Sequence, residues 1–85
     1  MVIHDLKVWP EYYEALREWK KTFEVRDEKD RHFNVGDVLA LKCWDPDQKA
    51  YMDVPSMDFE VTYCLREPFA KDGTVIMGIK YLPEC

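Results

Sequence analysis

Along this 85-residue chain the spacing of apolar side chains changes several times, and each change marks a new element. From Val2 to Trp9 the apolar positions are Val2, Leu6 and Val8, with Ile3 out of phase. That pattern predicts a short strand running into Pro10. Proline suits the first turn of a helix, where its missing N–H would have no intrahelical partner in any case. The stretch Pro10–Trp19 then predicts a helix, because Tyr12, Leu16 and Trp19 recur at helical spacing with Ala15 on the same side. Glu11 and Glu14 stand early and Arg17 late, the order favoured by the helix dipole.

After Lys20 the period shortens to two. Phe23 and Val25 alternate with Thr22, Glu24 and Arg26, which predicts a half-buried strand with its apolar pair inward. Residues 27–31 form a charged, solvated connection, and Asn34-Val35-Gly36-Asp37 supplies turn chemistry. Val38–Trp44 is a strong strand, ended by Asp45-Pro46-Asp47, and the stretch to Ser56 is expected to be loop or irregular edge. Asp58–Arg66 alternates, with Phe59, Val61, Tyr63 and Leu65 on one face and Glu60, Thr62, Cys64 and Arg66 on the other. Lys71-Asp72-Gly73 turns the chain into a last strand, Thr74–Leu82, with Val75, Met77, Ile79 and Tyr81 in phase. One helix and about five strands predict an α+β, mostly β fold: a small twisted sheet closing into a barrel, with the early helix capping one opening. Closure would remove exposed strand edges. No repeat, low-complexity segment or flexible linker divides residues 1–85, so a single domain is expected.

Composition narrows the classes. Twelve aromatic rings let a domain this small fill a core without disulfides. The net charge of −5 excludes a uniformly basic coat for nucleic acid. Charge is nevertheless uneven. Residues 17–31 carry six basic side chains (Arg17, Lys20, Lys21, Arg26, Lys29, Arg31) against five acids, which leaves −6 on the remaining seventy. No apolar run approaches the ~18 residues of a membrane span, and Met1–Asp5 lacks the pattern of a secretory signal. Three Cys at 43, 64 and 85 fit neither a disulfide framework nor zinc spacing. Reduced thiols in a cytoplasmic protein are expected, with no metal and no cofactor. No catalytic triad order, phosphate loop or dinucleotide fingerprint is present.

Candidate chemistry gathers in Lys20-Lys21-Thr22-Phe23-Glu24-Val25-Arg26. Strand alternation puts Thr22, Glu24 and Arg26 on one side, where donors and an acceptor could read a nucleobase edge or an amide. The competing account is a solvated face with a Glu24–Arg26 surface pair worth under ~1 kcal/mol. Lys21 has the parity of the apolar face. Either the strand begins after it, or its amine enters a partly buried cleft beside the helix, where it could act as base or nucleophile. The competing account is a junction lysine that snorkels to water. His4, Trp9, Trp44 and Tyr51 could add hydrogen bonds or stacking surfaces to such a site, or serve only in packing.

A resemblance covers nearly the whole chain. His4-Asp5-Leu6-Lys7, Pro10-Glu11-Tyr12-Tyr13-Glu14-Ala15, Lys20 to Arg26, Phe33-Asn34-Val35-Gly36-Asp37-Val38-Leu39 and the closing Val75-Ile76-Met77-Gly78-Ile79 together resemble the ASCH superfamily. More narrowly they resemble its short bacterial and phage branch, filed as a domain of unknown function (the 3850 type). The resemblance implies a PUA-like β-barrel and RNA binding between helix and barrel. Together with the residue pattern it leads to the expectation of a module that binds RNA or a nucleotide-like ligand through Lys21, Thr22, Glu24, Arg26 and His4. One small relative type is an amidohydrolase that deacylates N4-acylated cytidines with a lysine, a threonine and a distant glutamate. Lys21 aligns with that lysine, Glu24 stands where the threonine would be, and the glutamate has no clear counterpart here. An amidohydrolase of this chain would therefore use Lys21 as base or nucleophile, with Glu24 sharing the acid/base role. Trp19 stands where the relatives usually carry glycine, so the helix is expected to end by a route other than a left-handed glycine. A protein-interaction domain using the acidic remainder is the third expectation.

Overall fold

A computed structural model describes residues 1–83. In chain order its elements are β1 (Ile3–Val8), α1 (Pro10–Arg17), β2 (Phe23–Asp27), β3 (Val38–Asp45), β4 (Ala50–Tyr51), β5 (Met57–Leu65) and β6 (Thr74–Leu82). The strands form one sheet in the order β1-β3-β5-β6-β2, with the two-residue β4 paired to the far end of β3. Only the β1–β3 pair is parallel, with Ile3 opposite Val38 and Val8 opposite Cys43. The fold is α+β and mostly β.

The expected barrel is corrected: the sheet stays open, because β1 and β2 are its two edges and do not pair. Paired strands lie about 4.8 Å apart, too close to admit a side chain between their backbones. Here the Arg26 guanidinium fills the gap, donating from Nη2 to the Lys7 carbonyl at 2.9 Å. A side chain bridges where a strand ladder would have closed the barrel.

The core joins Val8 of β1, Tyr13 and Leu16 of α1, Phe33, and the inward residues of β3, β5 and β6, including Leu39, Leu41, Phe59, Val61, Val75 and Met77. Val38 to Leu41 are buried without interruption, as expected of a strand covered on both faces. Each buried Leu contributes roughly 1.5–3 kcal/mol.

Three expectations change. The helix buries Tyr13 and Leu16, while Tyr12 is half exposed. Tyr13 is the ring that can bury its hydroxyl satisfied, donating to the Pro55 carbonyl at 2.6 Å. The helix also ends at Arg17 rather than Trp19. Its end uses the left-handed turn that a glycine would supply, with Trp19 itself at φ 62°. Trp19 N–H donates to Leu16 O at 3.2 Å and Lys20 N–H to Ala15 O at 2.9 Å, the paired bonds of a Schellman motif. A left-handed non-glycine residue costs roughly 1–2 kcal/mol, offset in part by the edge-on contact of Trp19 with Tyr81 at 5.5 Å. Finally, the alternation of β5 breaks at Thr62. Val61 faces Ile79 but Tyr63 faces Gly78, so one extra residue bulges out. Gly78 suits the bulge, since a Cβ there would lie 3.1 Å from Thr62 Oγ1. Beyond the bulge the faces swap: Tyr63 turns out to solvent, and Cys64 packs against the core.

Candidate ligand-binding cleft

The unpaired edges of β1 and β2 enclose a cleft of about 500 Å³. Its walls come from three elements. Lys7 and Val8 end β1, Trp9 and Tyr12 begin α1, and Lys21, Phe23, Glu24, Val25 and Arg26 follow the helix. The volume falls within the ~300–1,000 Å³ usual for small-molecule sites. Pro10 starts the helix directly after β1, so Trp9 and Tyr12 share one rim, with ring centroids 6.3 Å apart and planes 22° from parallel. The Schellman turn at Trp19 then reverses the chain and brings Lys21 back beside that rim.

At the floor lies Glu24, whose side chain is only 4% exposed. Lys21 Nζ contacts Glu24 Oε1 and also donates to the Phe23 carbonyl at 2.8 Å. Arg26 Nε donates to Glu24 Oε2 at 3.0 Å. Two cations thus share one carboxylate on an otherwise acidic molecule. Past Arg26 the seam continues into a smaller hollow of about 160 Å³, bordered by Asp27, Asp30 and Arg31.

The face of β2 is inverted relative to expectation. Glu24 points inward, and Phe23 and Val25 are half exposed. The apolar pair borders the cleft instead of the core, because β2 is an edge strand with no layer beyond it. Lys21 precedes the strand, and its amine enters the cleft with the side chain 18% exposed. Both branches of the expectation for Lys21 therefore hold together, and neither the snorkelling lysine nor the solvated Glu24–Arg26 pair describes the site.

Two anticipated ligand residues lie elsewhere. Thr22 is exposed and does not line the cleft. His4 is buried on the inward side of β1, its ring 4.5 Å from Phe33, and Nε2 donates to Asp37 Oδ2 at 2.9 Å. Asp37 also accepts from the N–H groups of Asn34 (3.0 Å) and Val2 (3.2 Å), fastening the Gly36 turn to β1. Burial alone would raise the Asp37 carboxyl, but these hydrogen bonds outweigh it and hold the group below its ordinary value. Trp44 and Tyr51 pair edge-on at 5.0 Å outside the cleft lining, with Lys7 Nζ 3.8 Å above Trp44.

Alternation alone did not reveal Lys7, Phe23 and Val25 as cleft residues, nor Tyr12 as rim rather than core. It also missed a structural ion pair in the supposedly solvated 27–31 connection. Arg66 grips Glu28 through Nε at 2.7 Å and Nη2 at 2.9 Å, while Glu28 accepts from Phe33 N–H at 3.0 Å. The Arg66 guanidinium holds the Glu28 carboxyl down to about 2.

Among the described residues, no group of three or more His, Cys, Asp or Glu could hold a metal. Among the same described residues, no helix is long and apolar enough to cross a membrane. Cys43 and Cys64 are free thiols, both pushed up by burial and so less reactive. Cys85 lies outside the described residues.

The chain belongs to the family described as a domain of unknown function, DUF3850, whose model matches residues 3–79. No curated protein matches it.

Proposed function

We propose that this domain binds RNA or a nucleoside-like ligand in the cleft between β1, α1 and β2. One observation carries the proposal: aromatic and apolar side chains wall a cleft whose floor is the Lys21–Glu24–Arg26 cluster. Stacking on an aromatic side chain contributes roughly 1–3 kcal/mol per base. Charged hydrogen-bonding groups at the floor supply orientation, as in most small-molecule sites. The likeness to ASCH domains favours the same ligand class, and the acidic remainder disfavours broad, non-specific phosphate binding. The free thiols Cys43 and Cys64 are consistent with a cytoplasmic setting for this activity. The test is a titration at low salt with structured RNA, single-stranded RNA and free nucleosides. Binding that weakens at least tenfold in Arg26→Ala is expected. An absence of binding to all three, or unchanged binding by Lys21→Ala and Arg26→Ala, contradicts the proposal.

A hydrolytic role has one observation in its favour, the direct contact of Lys21 Nζ with Glu24 at the floor of a concave site. An amidohydrolase of this kind releases cytidine from N4-acetylcytidine. Turnover that disappears in Lys21→Ala would establish it, and no Lys21-dependent turnover would remove it.

A further inference from the structure

We infer that the cleft selects an anionic ligand group, a phosphate ester rather than a neutral nucleoside, and that Glu24 positions the two cations rather than reading the ligand. The inference rests on the proposal that the cleft takes a nucleoside-like ligand.

Its basis is the backbone at the seam. Ile79 N–H donates to Thr22 O, and Glu28 N–H to Gly73 O. In an antiparallel pair, hydrogen-bonded residues alternate with non-bonded ones. With Phe23 opposite Gly78, Thr22, Glu24, Arg26 and Glu28 therefore bond towards β6, while Phe23 and Val25 turn their backbone groups to the seam. On β1, Val38 N–H donates to Val2 O, and the parallel register then leaves Lys7 facing the seam too. The bond from Arg26 to the Lys7 carbonyl agrees with that phase.

Two edges thus present amides to the cleft, and their carbonyls are selectively covered. Arg26 occupies the Lys7 carbonyl, and Lys21 occupies that of Phe23. What remains is rich in donors: the N–H groups of Lys7, Phe23 and Val25, the rest of the Lys21 ammonium, and Arg26 Nη1. The acceptors are the Val25 carbonyl and a Glu24 carboxylate whose two oxygens are each already engaged by a cation. A ligand edge that offers amines meets few partners here. A phosphate, which offers only acceptors, meets several, and Arg26 can present them in a planar fork.

Calorimetric titration of the intact chain at low salt with cytidine, cytidine monophosphate and the dinucleoside monophosphate CpC tests this. At least one phosphate-bearing probe is expected to bind tenfold or more tightly than cytidine, and that preference to weaken with added salt. CpC equal to or tighter than the monophosphate identifies a phosphodiester backbone as the source, and the reverse order a free nucleotide. Cytidine binding within threefold of both phosphate probes overturns the inference while leaving nucleoside binding intact. No binding by any probe overturns it together with the reading beneath it. Glu24→Gln gives a second measurement that keeps the shape of the floor. Its carboxamide can accept from only one of the two cations, so phosphate affinity is expected to fall more than cytidine affinity. A loss confined to cytidine would instead make Glu24 a reader and contradict its positioning role.

Discussion

Asp37 and Glu24 are both carboxylates with no more than 4% of their area exposed, and each is held by groups from its own and neighbouring segments. Their surroundings differ in what is left over. Asp37 receives a ring N–H and two backbone N–H groups, all from residues fixed beside it, and it lines neither the cleft nor the smaller hollow. Glu24 receives two long cationic side chains whose remaining donors open on a 500 Å³ cleft. Burial of a charge is therefore not itself the mark of a site. The mark is surplus hydrogen-bonding capacity facing a space large enough for a ligand.

Substitutions separate the two clusters. Asp37→Ala would leave three donors without their acceptor and is expected to cost about 2–4 kcal/mol of unfolding free energy. Urea denaturation measures that loss, and the folded fraction should keep its ligand affinity. Arg26→Ala should behave the other way. It removes one of two partners of Glu24, costs about 1–2 kcal/mol, and lowers ligand affinity at least tenfold. A large stability loss without an affinity change would make the seam cluster structural, like Asp37.

Acid sharpens the contrast. The carboxyls of Glu28 and Asp37 lie below their ordinary values of 4.5 and 3.8 in the folded chain. Their contribution to stability is complete above those values and is lost as pH falls through the folded ones, near 2 for Glu28. Stability should accordingly decline between about pH 4.5 and 2. Glu28→Gln should flatten part of that decline, by about 1–2 kcal/mol since Arg66 is partly screened by solvent. Chemical denaturation across that range, with and without the substitution, checks it. The smallest effect is expected at Trp19→Gly. Relief of the left-handed strain and loss of the Tyr81 contact oppose each other, so thermal unfolding should change by less than about 1 kcal/mol.

Much of the fold is legible in the sequence where one physical cue dominates. β3 and β6 follow from their apolar patterns, with the Asn34–Asp37 turn before β3 and the Lys71–Gly73 turn before β6, and Pro10 marks the start of α1. Local spacing puts Glu24 and Arg26 on one side of β2 but leaves Lys21 out of phase, and the turn at Trp19 is what brings Lys21 to them. What alternation could not supply is the direction of burial in a strand with nothing stacked beyond it. Phe23 and Val25 look like a core face and prove to be a cleft rim, because β2 ends the sheet. Tyr12 and Tyr13 are indistinguishable by hydrophobicity, and the Pro55 carbonyl, 42 positions away, decides between them. The bulge at Thr62 depends on the partner Gly78, and the open seam depends on Arg26 reaching Lys7. Each is a long-range contact that a local window does not contain.

The central claim is that the seam between β1 and β2 is a ligand site. Amide chemical-shift mapping by NMR during titration with single-stranded RNA and with cytidine monophosphate tests it most directly. Shifts confined to residues 7–12 and 21–26, with the His4–Asp37 region unmoved, are the predicted result. No shifts with either ligand, or shifts centred away from those segments, would contradict the account.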